Sequence, residues 1–137
     1  MCPENGTDTR KESTQSVCGM EAMMAYIKNM EYEKVVELAG QVQIQPGQVV
    51  SKTLVQNDAV SVTLFAFAKD EEIGTHDSIG DAMVTVLEGV GKFTVGGKEH
   101  IVHAGEALIM PATIPHAVYA QEDFKMLLTV IFPFPQA

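Results

Sequence analysis

From Val42 onward, the chain consists of short runs of β-branched and aromatic residues separated by turn residues. Runs of about four to eight such residues predict β-strands. The Gly96-Gly97 pair predicts a two-residue hairpin, because both central positions of the favoured turn require positive φ. The predicted strands lie, in chain order, in QVQIQ, VVSKTLV, VSVTLFAFA, AMVTVLEG, KFTV, KEHIV, EALIMP, HAVYA and FKMLLTVIF. This succession predicts an all-β sandwich or barrel.

Two of these runs, VSVTLFAFA and MLLTVIF, are apolar on both faces instead of alternating between apolar and polar positions. A strand with two apolar faces is expected to be covered on both sides, either inside a barrel or beneath a second layer. Pro133 and Pro135 follow the last run and end it, since proline cannot donate a ladder hydrogen bond.

The N-terminal part of the chain has a different pattern of polar and apolar residues. Residues 1 to about 18 are polar, and the next segment carries apolar residues at roughly helical spacing, namely Met20, Met23, Met24, Ile27 and Met30. This spacing predicts a short helix that packs on the domain core. A methionine-rich groove for a partner is the alternative interpretation. We therefore divide the chain into a polar tail with a short helix, residues 1–40, and a β-barrel, residues 41–137.

Composition and charge narrow the class of protein. The chain has 137 residues, 46% of them hydrophobic and 20% charged, which suits one globular domain. Eighteen acidic residues against nine basic ones give a net charge of -9, which disfavours nucleic acid and anionic membrane surfaces as partners. Cys2 and Cys18 form no disulfide framework, and no run resembles a secretory signal or a membrane span. We expect a cytoplasmic protein.

The segments HDSIGDAMVTVLEG and GEALIMPATIPHAV carry His76, Gly89, Gly105, Pro111 and His116. In the spacing of these residues, the chain resembles the cupin superfamily over roughly residues 48–132. The resemblance places His76 at the first histidine of the first motif and His116 at the histidine of the second. It implies an all-β fold, a small RmlC-like jelly roll closed into a cupin barrel.

Other motif positions carry different residues. By the same resemblance, Ser78 stands at the second histidine and Ala82 at the glutamate of the first motif, so two metal-ligand positions are lost. The glycine that opens the first motif is replaced by Asp70. In the second motif, Thr113 replaces the inner glycine and Ala120 the asparagine.

The resemblance implies that His76 and His116 face each other at the barrel mouth. Two imidazoles are too few for a zinc site, and a two-histidine iron site also needs a carboxylate. Asp77 or Asp81 could supply an oxygen, although strand alternation from Ala82 turns Asp81 outward. We therefore expect no metal cofactor, or a divalent ion (Zn, Fe, Mn or Ni) held weakly. In the alternative interpretation, each histidine only forms hydrogen bonds within the mouth.

The small residues at the lost ligand positions predict space for a ligand. The predicted pocket consists of His76, Ser78, Ala82, Val84, Met110 and His116, with further apolar walls from Val86 and from Phe65 or Phe67. A concave apolar pocket with a few polar groups is the usual form of a small-molecule site. Alternatively, methionine and phenylalanine fill the vacated volume, because small barrels are normally packed.

The remaining candidates carry weaker signals. His100 alternates with Val102 and is expected in the core, and His103 is expected in solvent. The acidic run Asp70 to Glu72 is interpreted as a solvated face, since adjacent side chains diverge.

Two functions remain open. We favour a small-molecule-binding module that needs no metal or binds one weakly, with an apolar or amphiphilic ligand. The alternative is a metal-dependent enzyme of the oxygenase, isomerase or decarboxylase type that uses His76 and His116. We also expect a homodimer, because the apolar strands around Val49 to Leu54 and Met126 to Phe132 exceed what one small barrel covers.

Overall fold

The computed structural model describes residues 25–133, and these form two packed antiparallel sheets. The larger sheet has the strand order β1-β2-β9-β4-β7 and the smaller one β3-β8-β5-β6. The strands are β1 Val49–Gln56, β2 Val60–Phe67, β3 Glu72–His76, β4 Asp81–Glu88, β5 Val90–Val95, β6 Lys98–His103, β7 Ala107–Met110, β8 His116–Ala120 and β9 Phe124–Ile131. The all-β jelly roll that the sequence predicts is confirmed.

Strand alternation places one face of each sheet in a shared core. In β4, Ala82, Val84 and Val86 are buried, whereas the intervening Asp81 and Met83 are exposed. This is the period of two that a strand with one buried face requires. The main core cluster contains the buried residues Phe67, Ala82, Val84, Val86, Phe93, Val102, Met110, Val118, Ala120, Phe124, Met126 and Val130.

Phe124 links the two sheets at the centre of this core. Its ring stacks on Phe67 of the same sheet with centroids 4.7 Å apart, and meets Phe93 of the opposite sheet edge to face at 6.1 Å. Gly91 makes room for it, because a Cβ at this position would lie 2.9 Å from ring atoms of both Phe124 and Phe93. Gly89 accommodates the same region, since its φ is +77° and a Cβ would clash with the carbonyl of Asp123. Both glycines are therefore required by close packing.

The predicted N-terminal helix is not found in the part of the chain that the structure describes. Met20, Met23 and Met24 lie outside the described residues, as do Cys2 and Cys18. Residues 25–37 form bends and turns, and the helical element that follows is a single 3₁₀ turn, Leu38–Gln41. The main chain at Asn29 and Glu33 has positive φ, which interrupts a right-handed helix.

Instead of forming a helix, residues 28–44 lie across the outer face of the larger sheet, and we call them the N-terminal strap. The strap is attached at the β1 edge, where Lys28 N–H donates to Leu54 O at 2.8 Å and Asn29 Nδ2 donates to Thr53 O at 2.6 Å. Val42 of the strap forms a second buried cluster with Leu54, Leu64 and Ala66 of the sheet. The strap therefore covers the second apolar face of β2 that the sequence predicts.

A buried lysine joins the strap to the sheet. Lys125 in β9 is only 8% exposed, and its ammonium donates to Ala39 O in the 3₁₀ turn at 2.7 Å. Glu88 Oε1 lies 3.7 Å from the same ammonium and balances its charge. Because a buried ammonium is costly without partners, this pair of contacts makes the strap part of the folded unit.

No helix within residues 25–133 has the length and hydrophobicity that a membrane crossing needs.

Replacing Lys125 with alanine should lower the free energy of unfolding by about 2 kcal/mol, because the Ala39 carbonyl loses its donor and the cluster loses the apolar stem of the lysine. Chemical denaturation of wild type and Lys125→Ala measures this difference. Lys98→Ala, at an exposed position, is the control and should change stability by less than about 0.5 kcal/mol. Equal stabilities for the two variants would contradict a structural role for the Lys125 contacts.

Candidate histidine site

The structure brings His76 and His116 into direct contact. They lie opposite each other in the pairing of β3 with β8, on adjacent strands of the smaller sheet. Their imidazole rings meet edge to face with centroids 4.3 Å apart. His116 is 4% exposed, whereas His76 is exposed to solvent. One histidine of the pair is therefore embedded in the protein and the other lies at its surface.

Main-chain carbonyls orient both imidazole rings in the same way. His76 Nδ1 lies 2.8 Å from Gly74 O, and His116 Nδ1 lies 3.2 Å from Ile114 O. A carbonyl oxygen only accepts hydrogen bonds, so each Nδ1 carries the proton and donates it. In the neutral imidazole, this leaves Nε2 as a hydrogen-bond acceptor.

Burial lowers the pKa of His116 below its ordinary value of 6.5. The nearby positive charge that His76 carries when protonated lowers this pKa further. The hydrogen bond to Ile114 O and the negative charge of Asp77 act in the opposite direction and are weaker. His116 is therefore neutral at pH 7.

Two loops next to the histidines are joined by hydrogen bonds. Thr113 N–H donates to Ser78 O at 2.7 Å, and Ala112 N–H donates to Asp81 Oδ1 at 2.8 Å. Within the first loop, Gly80 N–H donates to the Ser78 hydroxyl oxygen at 3.1 Å. The carboxylate of Asp81 is thus used to hold the loop of residues 111–115, and strand alternation turns it away from buried Ala82 as expected.

Two positions that the resemblance assigns to motif glycines keep the backbone conformation of glycine. Asp70 has a φ of 73° and Thr113 a φ of 66°. Non-glycine residues rarely adopt this left-handed region, and β-branched threonine is disfavoured there most. Asp70 compensates in part, because its Oδ1 accepts a hydrogen bond from the Tyr119 hydroxyl at 2.5 Å, a contact that also raises the pKa of Tyr119.

Comparison with known proteins agrees with this fold. The cupin domain family matches residues 63–132. The chain belongs to the cupin family. A conserved protein of unknown function from Streptococcus pyogenes is 46% identical, with a TM-score of 0.80 over 82% of this chain and 98% of that one. No curated protein matches the chain.

Two further solved structures are similar over most of the chain. A cupin superfamily protein from Desulfitobacterium hafniense is 29% identical, with a TM-score of 0.76 over 80% of this chain and 100% of that one. An RmlC-like cupin from Desulfovibrio desulfuricans is 26% identical, with a TM-score of 0.64 over 75% of this chain and 100% of that one. These matches confirm that the protein is a small RmlC-like cupin.

Cupins often bind metal ions. Among residues 25–133, no three or more histidine, cysteine, aspartate or glutamate side chains are grouped so that they could hold a metal ion. A structural zinc site takes about four protein ligands, and a facial iron site takes two histidines and a carboxylate. The two imidazoles provide only part of either set.

Three of the other predicted pocket residues lie in this cupin's packed core. Ala82 and Met110 face each other in the pairing of β4 with β7, and both are buried, as is Val84. Ser78 is half-buried at the loop next to the histidines.

The other two histidines lie outside the pair. His100 is half-buried opposite Phe93 on the β5–β6 hairpin. His103 is exposed, with Nδ1 3.3 Å from Glu106 Oε1, and its main-chain N–H donates to the same oxygen and lowers the pKa of that carboxyl.

A groove that the sequence does not indicate lies on the outer face of the smaller sheet. Its volume is about 330 Å³, and it is lined by Glu72, Lys92, Thr94, Ala117, Val118 and Tyr119. The Lys92 ammonium lies 5.3 Å from the centre of the Tyr119 ring and 3.5 Å from Glu99 Oε2. These residues come from three strands, so only their cross-strand pairing reveals the groove.

Replacing Thr113 with glycine should raise the free energy of unfolding by about 1 kcal/mol, because glycine adopts positive φ without the strain of a β-branched residue. Chemical denaturation measures the change. The inverse control is Gly105→Ala, at a φ of +87° with open space around the added methyl group, and it should lose about 1 kcal/mol. A destabilised Thr113→Gly protein would contradict the assignment of strain.

Stability should fall as pH decreases through the region just below 6.5, the ordinary pKa of histidine. The pKa of His116 is lowered in the folded state, so the unfolded chain binds more protons in this window and acid favours unfolding. The contribution of His116 to stability is therefore fully present above its ordinary pKa of 6.5, and is lost as pH falls through its lowered pKa in the folded protein.

This pH dependence is measured by denaturation of wild type and His116→Gln at several pH values. The slope of stability against pH should be shallower in the variant. His103→Gln, at an exposed position, should keep the wild-type slope. A His116→Gln protein with the full wild-type slope would assign the effect to another group.

Proposed function

We propose that this cupin is a small-molecule-binding module that binds divalent metal weakly or not at all. The observation that carries the proposal is the state of the His76–His116 pair. Both Nδ1 atoms are bound to main-chain carbonyls, His116 is buried, and Nε2 of His116 has no protein partner within the described residues. A buried polar atom without a partner indicates a missing group such as a ligand or a water.

The neighbouring side chains support a ligand site over a metal site. The Ser78 hydroxyl and the Asp81 carboxylate already accept main-chain hydrogen bonds in the two joined loops. Ala82, at the position that the cupin motif gives to a glutamate, offers no donor atom. A divalent ion held by the two imidazoles alone would lose much of the affinity that a full ligand set provides.

The chemistry of the loops favours an amphiphilic ligand. Ile79 is 69% exposed and Ile114 is 38% exposed, although both are large apolar residues. In the sequence they follow Ser78 and Thr113, which are joined by the hydrogen bond of 2.7 Å from Thr113 N–H to Ser78 O. Apolar surface beside a few polar groups is the usual composition of a small-molecule site.

One observation favours the second candidate, a metal-dependent cupin enzyme. Metal-binding histidines commonly donate their second ring N–H to a carbonyl or a carboxylate, as both histidines do here. In this candidate, His76 and His116 would hold a zinc, iron, manganese or nickel ion together with ligands from outside the described residues. The reaction would be of the oxygenase, isomerase or decarboxylase type that the cupin resemblance implies.

The two candidates differ in the effect of a chelator. We expect purified protein to contain divalent metal well below one ion per chain, and EDTA to leave its melting temperature nearly unchanged. A metal bound only to the folded state at a thousandfold excess over its dissociation constant would add ~4 kcal/mol, which a chelator would remove. Elemental mass spectrometry and thermal unfolding with and without EDTA measure both quantities.

The double variant His76→Ala/His116→Ala is the matched control for this experiment. Metal content and chelator response should be the same in the double variant and in wild type. A stoichiometric metal that EDTA removes with a large fall in melting temperature, and that the double variant cannot bind, would establish the enzyme candidate instead.

We also propose a homodimer. Its interface would lie on strands β4, β7 and β9, and would not include the β1 part of the surface that the sequence suggests. Leu54 of β1 is covered by the strap of the same chain, so this part of the expected surface needs no second copy. Met83, Ile109 and Ile131 remain 44%, 61% and 56% exposed. They belong to the adjacent strands β4, β7 and β9, where Met83 pairs with Ile109.

Light scattering should give twice the mass of one chain, because a patch of this kind is stabilised by a second copy. Ile109→Lys should shift the protein towards the monomer. Ile101→Lys, at a similarly exposed position on the smaller sheet, is the matched control and should leave the mass unchanged. A monomeric wild-type protein at micromolar concentration would contradict the dimer.

We expect no nucleic acid and no membrane among the partners, because the net charge of -9 repels phosphate groups. A cytoplasmic location remains our prediction from composition.

A further inference from the structure

The hydrogen-bonding state of His116 restricts what can bind beside it. Its Nδ1–H donates to Ile114 O, so Nε2 of the neutral ring can only accept. The ring is 4% exposed, and no donor within the described residues reaches Nε2. Leaving a buried acceptor unpaired costs free energy comparable to a lost hydrogen bond, so the site is incomplete without a donor.

His76 does not supply that donor. Its Nδ1–H donates to Gly74 O at 2.8 Å, so its Nε2 is also an acceptor when the ring is neutral. Two acceptors cannot satisfy each other, although the rings lie 4.3 Å apart. The 4.3 Å between the ring centroids keeps the two Nε2 atoms near each other.

The negative charge near the pair also favours a ligand group that donates hydrogen bonds. Asp77 is exposed and close enough to His116 to favour positive charge on it. Its carboxylate would attract a cationic group and repel an anionic one. The nearby Ser78 hydroxyl and Asp81 carboxylate already accept main-chain hydrogen bonds within the loops.

From this geometry we infer that the histidine pair selects a ligand group that donates hydrogen bonds, a hydroxyl or an ammonium, over a carboxylate or a phosphate. The inference rests on the proposed small-molecule site and names the chemical class of its ligand. A hydroxyl can donate one hydrogen bond, to either Nε2, and an ammonium can donate to both. A carboxylate presents further acceptors and leaves both Nε2 atoms unpaired.

Three probes that share one apolar ring test this selectivity, namely benzyl alcohol, benzylamine and benzoate. Binding is followed by NMR of the histidine ring nitrogens in ¹⁵N-labelled protein, near pH 7.5, where an ordinary histidine is mostly neutral. Benzyl alcohol and benzylamine should shift the Nε2 resonances of His76 and His116. Benzoate should bind at least about tenfold more weakly, since a site built for a hydrogen-bond donor strongly rejects an analogue that lacks one.

Comparing benzylamine with benzyl alcohol separates the contribution of the Asp77 charge to the affinity from that of the two imidazoles. Tighter binding of benzylamine, reduced to the level of benzyl alcohol by Asp77→Asn, assigns the difference to the Asp77 charge. Equal binding of the two probes assigns the selectivity to the imidazoles alone. Both results support the inference.

A substitution at His116 gives the matched control. The side-chain amide of His116→Gln can donate as well as accept, so the preference for benzyl alcohol over benzoate should shrink. His103→Gln changes an exposed histidine outside the pair and should leave the preference unchanged. Should His116→Gln fail to fold, His76→Gln, at an exposed position, provides the same comparison.

The remaining outcomes separate this inference from the proposed function. Benzoate binding as tightly as benzyl alcohol, or more tightly, would overturn the donor selectivity and leave a small-molecule site in place. No shift of either histidine resonance by any probe, up to the solubility limit, would overturn both, because the pair would then be completed by water alone.

Discussion

The packing of Phe124 between the two sheets is the contact on which the remaining geometry depends. Its ring stacks on Phe67 within the larger sheet and meets Phe93 of the smaller sheet edge to face, over the space that Gly91 leaves. Because side chains alternate along a strand, fixing one inward residue fixes which residues of the strand point inward. The same alternation of side chains in β8 places His116 on the inner face of that strand, together with buried Val118 and Ala120.

The histidine site combines a cupin backbone with side chains that differ from the cupin motif at several positions. Asp70 and Thr113 adopt positive φ where the motif has glycine, so the turns that carry the site keep their shape despite the cost. Ser78 and Asp81 have structural roles, since their side-chain oxygen atoms accept main-chain hydrogen bonds in the loops beside the pair. Both imidazole rings have their Nδ1 protons committed to main-chain carbonyls. In the ligand site that we propose, such a pair selects hydrogen-bond donors more strongly than a pair of freely rotating histidines would.

Prediction from the sequence succeeded where local pattern and burial agree. In β4, the alternation of Ala82, Val84 and Val86 with exposed residues follows the run AMVTVLEG, and the Gly96-Gly97 hairpin has positive φ at both positions. The helix expected around Ile27 and Met30 is absent from the described residues, because contacts with the edge of β1 hold that segment in another conformation. Apolar spacing alone does not distinguish a helix from a segment that packs irregularly on a sheet.

The sequence by itself determined the β-rich architecture, the apolar inner faces and the cupin motif positions, since these depend on side-chain period and on spacing along the chain. Only the tertiary structure decided which ring nitrogen of each histidine donates to the main chain, the loop role of Asp81 and the burial of Lys125 under the strap. Each of these depends on a main-chain or side-chain atom that is distant in sequence or turned by the local fold, as when Lys125 reaches Ala39 O across 86 positions. Hydrogen bonds are directional and short, so the identity of a residue does not specify its partner until packing brings the two atoms together.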